Sequence, residues 1–342
     1  VDRFKNLSAS NLTALRSTYG EKPIFFHNVY EPDVLFPSKI RQLYALIWYE
    51  THPNIIVAGP RGGGKSMILG KVGFSKWLFQ GKSIVDMAGS EAQAQIVYNY
   101  FRDSCYSDPA ITDALASEPK MSETKSDKGK YFKAITASPK QARGPHPDGL
   151  FADEACETDD GLLLSALPMV DTSPSPLRVM TSTFHKAFGL YQDIWDNATE
   201  RGWFRFKWDI IDVVQTFDRS IFDDPELNEQ IGDLQKLKEL TAGRNGDPEG
   251  WVRIENIINA WRNKPTLDYF LVEYMGSRPS TIGLVLDPEK IDAAIFDDRY
   301  DNPYAYEVGM EVIGGIDWGF SSMTAVTGLL RHGQNAVSDH VA

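Results

Sequence analysis

The sequence predicts an α/β protein built on a doubly wound, mainly parallel sheet, and three observations carry that prediction. Asn54-Ile55-Ile56-Val57-Ala58 is a short apolar, β-branched run of the kind found in strands covered on both faces. It leads straight into the glycine-rich stretch Gly59-Pro60-Arg61-Gly62-Gly63-Gly64-Lys65-Ser66, and from there into Met67 to Phe74, whose apolar residues recur at helical spacing. Two further runs, Gly149-Leu150-Phe151-Ala152 and Leu177-Arg178-Val179-Met180, end in Asp153-Glu154 and Thr181-Ser182-Thr183, as strands do when their carboxyl ends face a ligand.

The glycine-rich stretch fits G-x-x-x-x-G-K-[ST] without mismatch, in the strand–loop–helix setting that a phosphate-binding loop requires. Gly59, Gly62, Gly63 and Gly64 let the backbone turn its N–H groups toward phosphate oxygens, and the helix N-terminus adds the positive end of its dipole. Lys65 is placed to reach the β- and γ-phosphates of ATP, and the Ser66 hydroxyl to ligate Mg²⁺.

The chain has 342 residues, 42% hydrophobic and 24% charged, the composition of a globular protein large enough for two domains. No apolar run approaches a membrane span and no signal peptide opens the sequence. Two cysteines, Cys105 and Cys156, make neither a disulfide framework nor a zinc site, which points to a reducing, cytosolic setting. A net charge of −12 disfavours a surface that coats nucleic acid throughout and leaves room for a local basic channel.

In chain order, Phe25 to Tyr30 reads as an edge strand or a docking arm. Pro37 then starts a helix running toward His52-Pro53. Gln42 on that helix either offers its amide to the donor and acceptor of an adenine edge or is an ordinary exposed glutamine. Ser83 to Ala88 reads as a strand. Ser90 and Gln93 form a capping box for the helix that follows, to about Arg102, whose aromatics are expected in the core. Lys120, Lys125, Lys128, Lys130, Lys133, Lys140 and Arg143 make residues 119–143 basic against the overall charge, and Thr124 to Thr136 reads as a hairpin turning at Asp127 to Gly129. Two readings stand for it, a contact with a DNA phosphate backbone or a solvated charge run.

Downstream of the loop, Asp153 is expected to hold Mg²⁺ through its water shell and Glu154 to polarise the attacking water as general base. The added Glu154 separates an ATP hydrolase from a small-molecule kinase and argues against a slow nucleotide switch. Thr181, Ser182 and Thr183 either sense a γ-phosphate or form an ordinary strand-end turn. Trp203 to Ile210 alternates as one more strand, and Arg253 to Trp261 as a helix packed on the core. Acidic turns such as Asp223-Asp224-Pro225 mark the intervening region. Val312 to Asp317, then glycine, then Thr324 to Leu330 open a new pair of strands.

Together, Phe36-Pro37 with Gln42, the loop with its internal Arg61, the helix starting near Ser90, Leu150-Phe151-Ala152-Asp153-Glu154-Ala155 and Thr181-Ser182-Thr183 resemble the large terminase subunit of tailed bacteriophages, the DNA-packaging motor. The resemblance covers roughly residues 35–330. It implies a P-loop ATPase domain over 1–218, a small helical lid and linker over 219–300, and the beginning of an RNase H-like nuclease domain over 301–342. By that resemblance Gln42 reads adenine, Arg61 contacts the γ-phosphate and changes position through the cycle, and Thr181 to Thr183 couple hydrolysis to movement. Arg143 acts in trans as an arginine finger, or else binds DNA or has no catalytic part, and Asp317 ligates one metal, Mg²⁺ or Mn²⁺, of a two-metal nuclease site. The implied partners are double-stranded DNA, the portal protein, the small terminase subunit and further copies of the chain in a ring, a pentamer on the capsid, in the host cytoplasm and away from any membrane. Because the sequence stops at Ala342, before further nuclease carboxylates, this chain alone is expected to show no nuclease activity. A helicase-like DNA-stimulated ATPase and a nucleotide switch are the competing expectations.

Overall fold

The computed structural model describes residues 9–138, 146–231 and 233–279, together with the strands at 311–317, 325–332 and 335–341. Two compact units divide the chain, Val1–Ser280 and Thr281–Ala342.

The first unit opens with three helices, α1 (Ala9–Tyr19), α2 (Pro23–Tyr30) and α3 (Ser38–Tyr49). The segment Phe25 to Tyr30, expected as an edge strand or arm, is helical instead. Pro23 stands in its first turn, where a missing N–H costs nothing, and Pro23, Phe26 and His27 are the residues it buries. Burial at helical spacing overrides the strand-like composition of the run. Glu31, just past α2, takes an ion pair from Lys71 at 2.5 Å and pairs with His27.

The sheet and its helices follow: β1 (Asn54–Ala58), α4 (Lys65–Ser75), β2 (Ile84–Ala88), α5 (Glu91–Cys105), β3 (Glu123–Lys125), β4 (Tyr131–Thr136), β5 (Gly149–Ala152), α6 (Asp160–Ala166), β6 (Leu177–Ser182), α7 (Leu190–Asp196) and β7 (Phe204–Lys207). The capping box at Ser90 and Gln93 is present. The strand expected over Trp203 to Ile210 is shorter, because Asp209 caps a tight 3₁₀ turn at Ile210–Val213.

Seven strands form one sheet in the order β3-β4-β2-β5-β6-β1-β7. All neighbours are parallel except β3 and β4, the basic hairpin. Alternate residues of each strand face opposite layers. Ile55, Val57, Ile84 and Ala88 pack with Ile68, Leu69, Val72, Val97 and Phe101 of α4 and α5. Ile56, Ala58, Val85 and Met87 pack on the other face with Leu163, Ala166, Tyr191 and Ile194 of α6 and α7. Each such large side chain withdrawn from water contributes about 1.5–3 kcal/mol. Gly70 lets α4 and α5 approach closely, since a Cβ there would lie 2.5 Å from the Tyr100 Cβ and 2.6 Å from the Val97 carbonyl oxygen.

Four short helices complete this unit: α8 (Pro225–Gln230), α9 (Leu234–Leu240), α10 (Ile254–Arg262) and α11 (Leu267–Glu273). Phe222, Leu234, Leu237, Ile257, Trp261 and Phe270 join the same buried cluster as β1 and α4. The second unit is a three-stranded antiparallel sheet, β8 (Glu311–Asp317), β9 (Ala325–His332) and β10 (Asn335–Val341), in the order β10-β9-β8. Among the described residues no helix is long and apolar enough to cross a membrane.

Candidate functional site

Sheet order alone brings the polar strand ends together. Because β6 lies between β1 and β5, the hydroxyls at its end stand between the glycine loop after β1 and the acid pair after β5. These elements line a cavity of about 580 Å³ that contains Pro60 to Met67, Asp153, Glu154 and Thr183.

The loop has the shape its glycines predict. Gly62 and Gly64 sit at φ +69° and +85°, where a side chain would be strained. Two tryptophans brace it from outside: Trp208 Nε1 donates to the Gly63 carbonyl at 3.1 Å, and Trp251 Nε1 to the Gly62 carbonyl at 3.2 Å. Lys65 is buried under the loop, where its ammonium donates to the carbonyls of Gly59 and Pro60 at 3.3 and 3.2 Å and to Thr183 Oγ1 at 3.0 Å. It also lies 3.4 Å from Glu154 Oε1.

Asp153 is enclosed at the centre. Ser66 Oγ donates to its Oδ2 at 2.5 Å and Thr181 Oγ1 to its Oδ1 at 2.6 Å. Burial, followed by the neighbouring Glu154 carboxylate, raises the Asp153 pKa despite these donors. Such a pocket for negative charge fits a divalent cation. Magnesium takes one or two direct protein ligands and keeps several waters, which the Ser66 hydroxyl beside the Asp153 carboxylate, reached through such waters, would suit. Among the described residues no cluster of three or more His, Cys, Asp or Glu could hold a metal by itself.

Glu154 adopts φ +49°, a conformation uncommon outside glycine, which turns it away from the line of β5. Ser182 Oγ donates to its Oε2 at 3.3 Å. Ser182 also accepts the Cys156 backbone N–H at 3.2 Å, so the middle hydroxyl of the run steadies the turn after the acid pair.

Several lining residues escaped the sequence. Gln93, Ile96 and Tyr100 of α5, and Glu157, His185, Trp251 and Glu273, all face the cavity. His185 stands two residues past the hydroxyl run, where a strand-end reading could have found it. Glu273 and Trp251 carry no local signal, since they arrive through tertiary packing. Tyr98 and Phe101 are core residues as expected, whereas Tyr100 is not.

Arg61 projects from the loop with its side chain 70% exposed, 3.9 Å from Glu273 Oε2. Gln42 lines a separate recess of about 290 Å³ with Ser38, Ile211, Asp212 and Arg244. On the hairpin, Lys125 pairs with Glu123 at 3.6 Å and Lys130 with Asp148 at 3.1 Å. Lys120, Lys128 and Lys133 have no carboxylate within ion-pair reach among the described residues. Asp317 ends β8. Lys140 and Arg143 lie outside the described residues.

No family model and no curated protein matches the chain. Solved structures do. The large terminase of bacteriophage HK97 superposes with a TM-score of 0.57 at 15% identity, over 92% of this chain and 65% of the other. The fold is that of a phage large terminase. The large terminase of a thermophilic bacteriophage aligns over 90% of this chain and 68% of its own, at 12% identity and a TM-score of 0.47. The ATPase domain of the Thermus phage P74-26 large terminase aligns over 71% and 99%, at 13% and 0.47. The chain therefore spans just under two thirds of the length of the HK97 protein.

Proposed function

We propose that the chain is the ATP-hydrolysing part of a viral DNA-packaging motor. The observation that carries the reading is the convergence of Lys65, Ser66, Asp153, Glu154 and Thr183 on one cavity at the carboxyl ends of β1, β5 and β6.

The triphosphate of ATP lies along the loop, its oxygens facing the backbone N–H groups and the Lys65 ammonium. Ser66 would hold a Mg²⁺ ion directly and Asp153 through its water shell, and the ion would supply charge neutralisation to the phosphates. Glu154 orients a water at the γ-phosphorus and takes its proton as the new P–O bond forms. The bond to the bridging oxygen breaks, and ADP leaves with that electron pair. Thr183, bonded to both Lys65 and the Gly59 carbonyl, registers whether Lys65 is engaged. The recess at Gln42 takes the adenine ring, whose donor and acceptor edge the Gln42 amide can match.

The hairpin carrying Lys125, Lys128, Lys130 and Lys133, with Lys120 just before it, supplies sequence-independent contacts to double-stranded DNA, as a translocating motor needs. Portal protein, small subunit and a ring of copies complete the machine, with Arg143 acting across the ring. Asp317, at the end of β8, is the first ligand of an Mg²⁺- or Mn²⁺-dependent nuclease module.

The test is ATP turnover with and without duplex DNA. Turnover that DNA stimulates, and that Glu154→Gln abolishes without loss of nucleotide binding, is the expected result. Strand separation on a forked substrate would replace the packaging reading with a helicase, and indifference to DNA would replace it with a switch. Mixing Glu154→Ala and Arg143→Ala proteins restores turnover only if Arg143 serves a neighbouring copy.

A further inference from the structure

Three carboxylates and one imidazole meet at the mouth of the cavity, and the hydrolytic scheme above uses just one of them. His185 Nε2 lies 3.5 Å from Glu157 Oε1 and 3.9 Å from Glu154 Oε2, while Nδ1 lies 3.4 Å from Glu273 Oε1. Glu273 ends α11 with its side chain 8% exposed, and its Oε2 has no hydrogen-bond partner among the described residues. A buried carboxylate left this short of donors is costly unless a nearby positive or polar group serves it. The groups facing it are His185 and, more distantly, Arg61. The Glu273 main chain is fixed to the loop as well, because its carbonyl accepts the Arg61 N–H at 2.7 Å.

We propose that His185 is a positioning residue that holds Glu154 in register for hydrolysis and ties it to Glu273, and through Glu273 to α11. This role rests on the hydrolytic reading of the site. Lys65 at 3.4 Å is now a partner of Glu154. Phosphate oxygens entering the loop compete for that ammonium, so Lys65 no longer anchors Glu154 when substrate is bound. Among the described residues, Ser182 and His185 are then the side chains left to fix the carboxylate. Ser182 belongs to the sheet, but His185 also touches Glu273 and so links the orientation of Glu154 to the position of α11. A shift of α11 moves both ends of the link, His185 through its Nδ1 and the loop through the Arg61 N–H.

The experiment compares steady-state ATP turnover of His185→Ala, His185→Asn, Glu273→Gln and the double variant His185→Ala/Glu273→Gln, with melting temperatures for each. His185→Ala is expected to lower kcat about tenfold or more, part of the 10²–10⁴ that a positioned base supplies, while KM for ATP stays within about threefold. His185→Asn, which keeps a hydrogen-bonding amide at that place, recovers a substantial part of the loss. Glu273→Gln lowers kcat in the same sense, and the double variant is no slower than His185→Ala alone, because Glu273 acts through His185. The proposal is overturned if His185→Ala keeps kcat within twofold, if kcat falls only in step with melting temperature, or if the two losses multiply. Glu154→Gln run alongside separates this role from the reading beneath it. Full turnover in Glu154→Gln, or none in the wild-type chain, removes the hydrolytic reading and this role with it. A dead Glu154→Gln with an unaffected His185→Ala removes this role alone.

Discussion

Asp86 occupies the middle of β2, buried, with neither carboxylate oxygen meeting a hydrogen-bond donor among the described residues. Burial, and then the charge of Asp153, push its pKa well above the ordinary aspartate value. The sign of the consequence is fixed by linkage. The folded chain keeps a proton that the unfolded chain releases above pH 3.8, so stability falls as pH rises from there toward the folded-state value. One such proton changes stability by about 1.4 kcal/mol per pH unit across the window. Asp86→Asn removes the ionisation at nearly constant shape. Its melting temperature should match wild type near pH 4 and exceed it by a margin that widens toward pH 7. Thermal melts at four or five pH values check this, and parallel curves for the two proteins would mean that Asp86 finds a partner in solution. At the same scale, the convergence of Lys65, Ser66, Asp153 and Glu154 on one cavity was legible because each stands at the end of a recognisable strand or in a short motif. His185 and Glu273 were not, because their role exists only once β6 and α11 have packed against the loop. Asp86 itself looks like any strand residue until its surroundings are known.

At the scale of elements, α5 is amphipathic in a functional sense. Ile96 and Tyr100 face the nucleotide cavity, while Tyr98 Oη donates to the Lys120 carbonyl at 2.7 Å and Gln95 to the Met121 carbonyl at 2.6 Å. The basic hairpin therefore hangs on the helix that walls the glycine-loop cavity, so under the proposed function a single helix joins nucleotide and DNA. Its lysines are not equivalent. Counterion release follows net local charge, and Asp148 and Glu123 already offset Lys130 and Lys125. Lys128→Ala and Lys133→Ala should each weaken duplex binding and reduce the salt slope by about 1, whereas Lys130→Ala and Lys125→Ala should change it less. Binding titrations between low and moderate salt check this; equal effects at all four positions would mean that the ion pairs offset nothing, and no effect at any of them would place the DNA elsewhere. The hairpin and the Ser90 cap were readable because turn and cap chemistry are local. The N-terminal α2 was misread because Phe25 to Tyr30 has strand-like composition. Its helix is selected by burying Phe26 and His27 against Ser75 and Phe74, contacts that no window along the sequence contains.

At the scale of the whole molecule, the reach of the buried core beyond residue 218 can be tested by shortening the chain. A division at residue 218 follows the end of the sheet, but the buried cluster does not stop there. Phe222, Leu234, Leu237, Ile257, Trp261 and Phe270 pack into the same core as β1 and α4. Arg244 also reaches back to bond both oxygens of Asp209 at 2.8 and 2.7 Å. Trp251 braces the glycine loop and Glu273 holds the Arg61 N–H, so the loop is completed from beyond residue 218. A fragment of residues 1–218 would lack these six apolar side chains and expose the core surface they cover, at about 1.5–3 kcal/mol each, a loss of the same order as the 5–15 kcal/mol that separates most folded domains from unfolding. A fragment ending at Ser280 keeps every one of them. The longer fragment should melt in a single cooperative transition and bind nucleotide as the whole chain does, and the shorter should lack both properties. Circular dichroism melts and nucleotide binding on the two fragments decide the matter. A stable, nucleotide-binding 1–218 fragment would mean that the helices beyond it rest on a finished domain instead of forming part of it, and the His185–Glu273 link would then join two separable bodies.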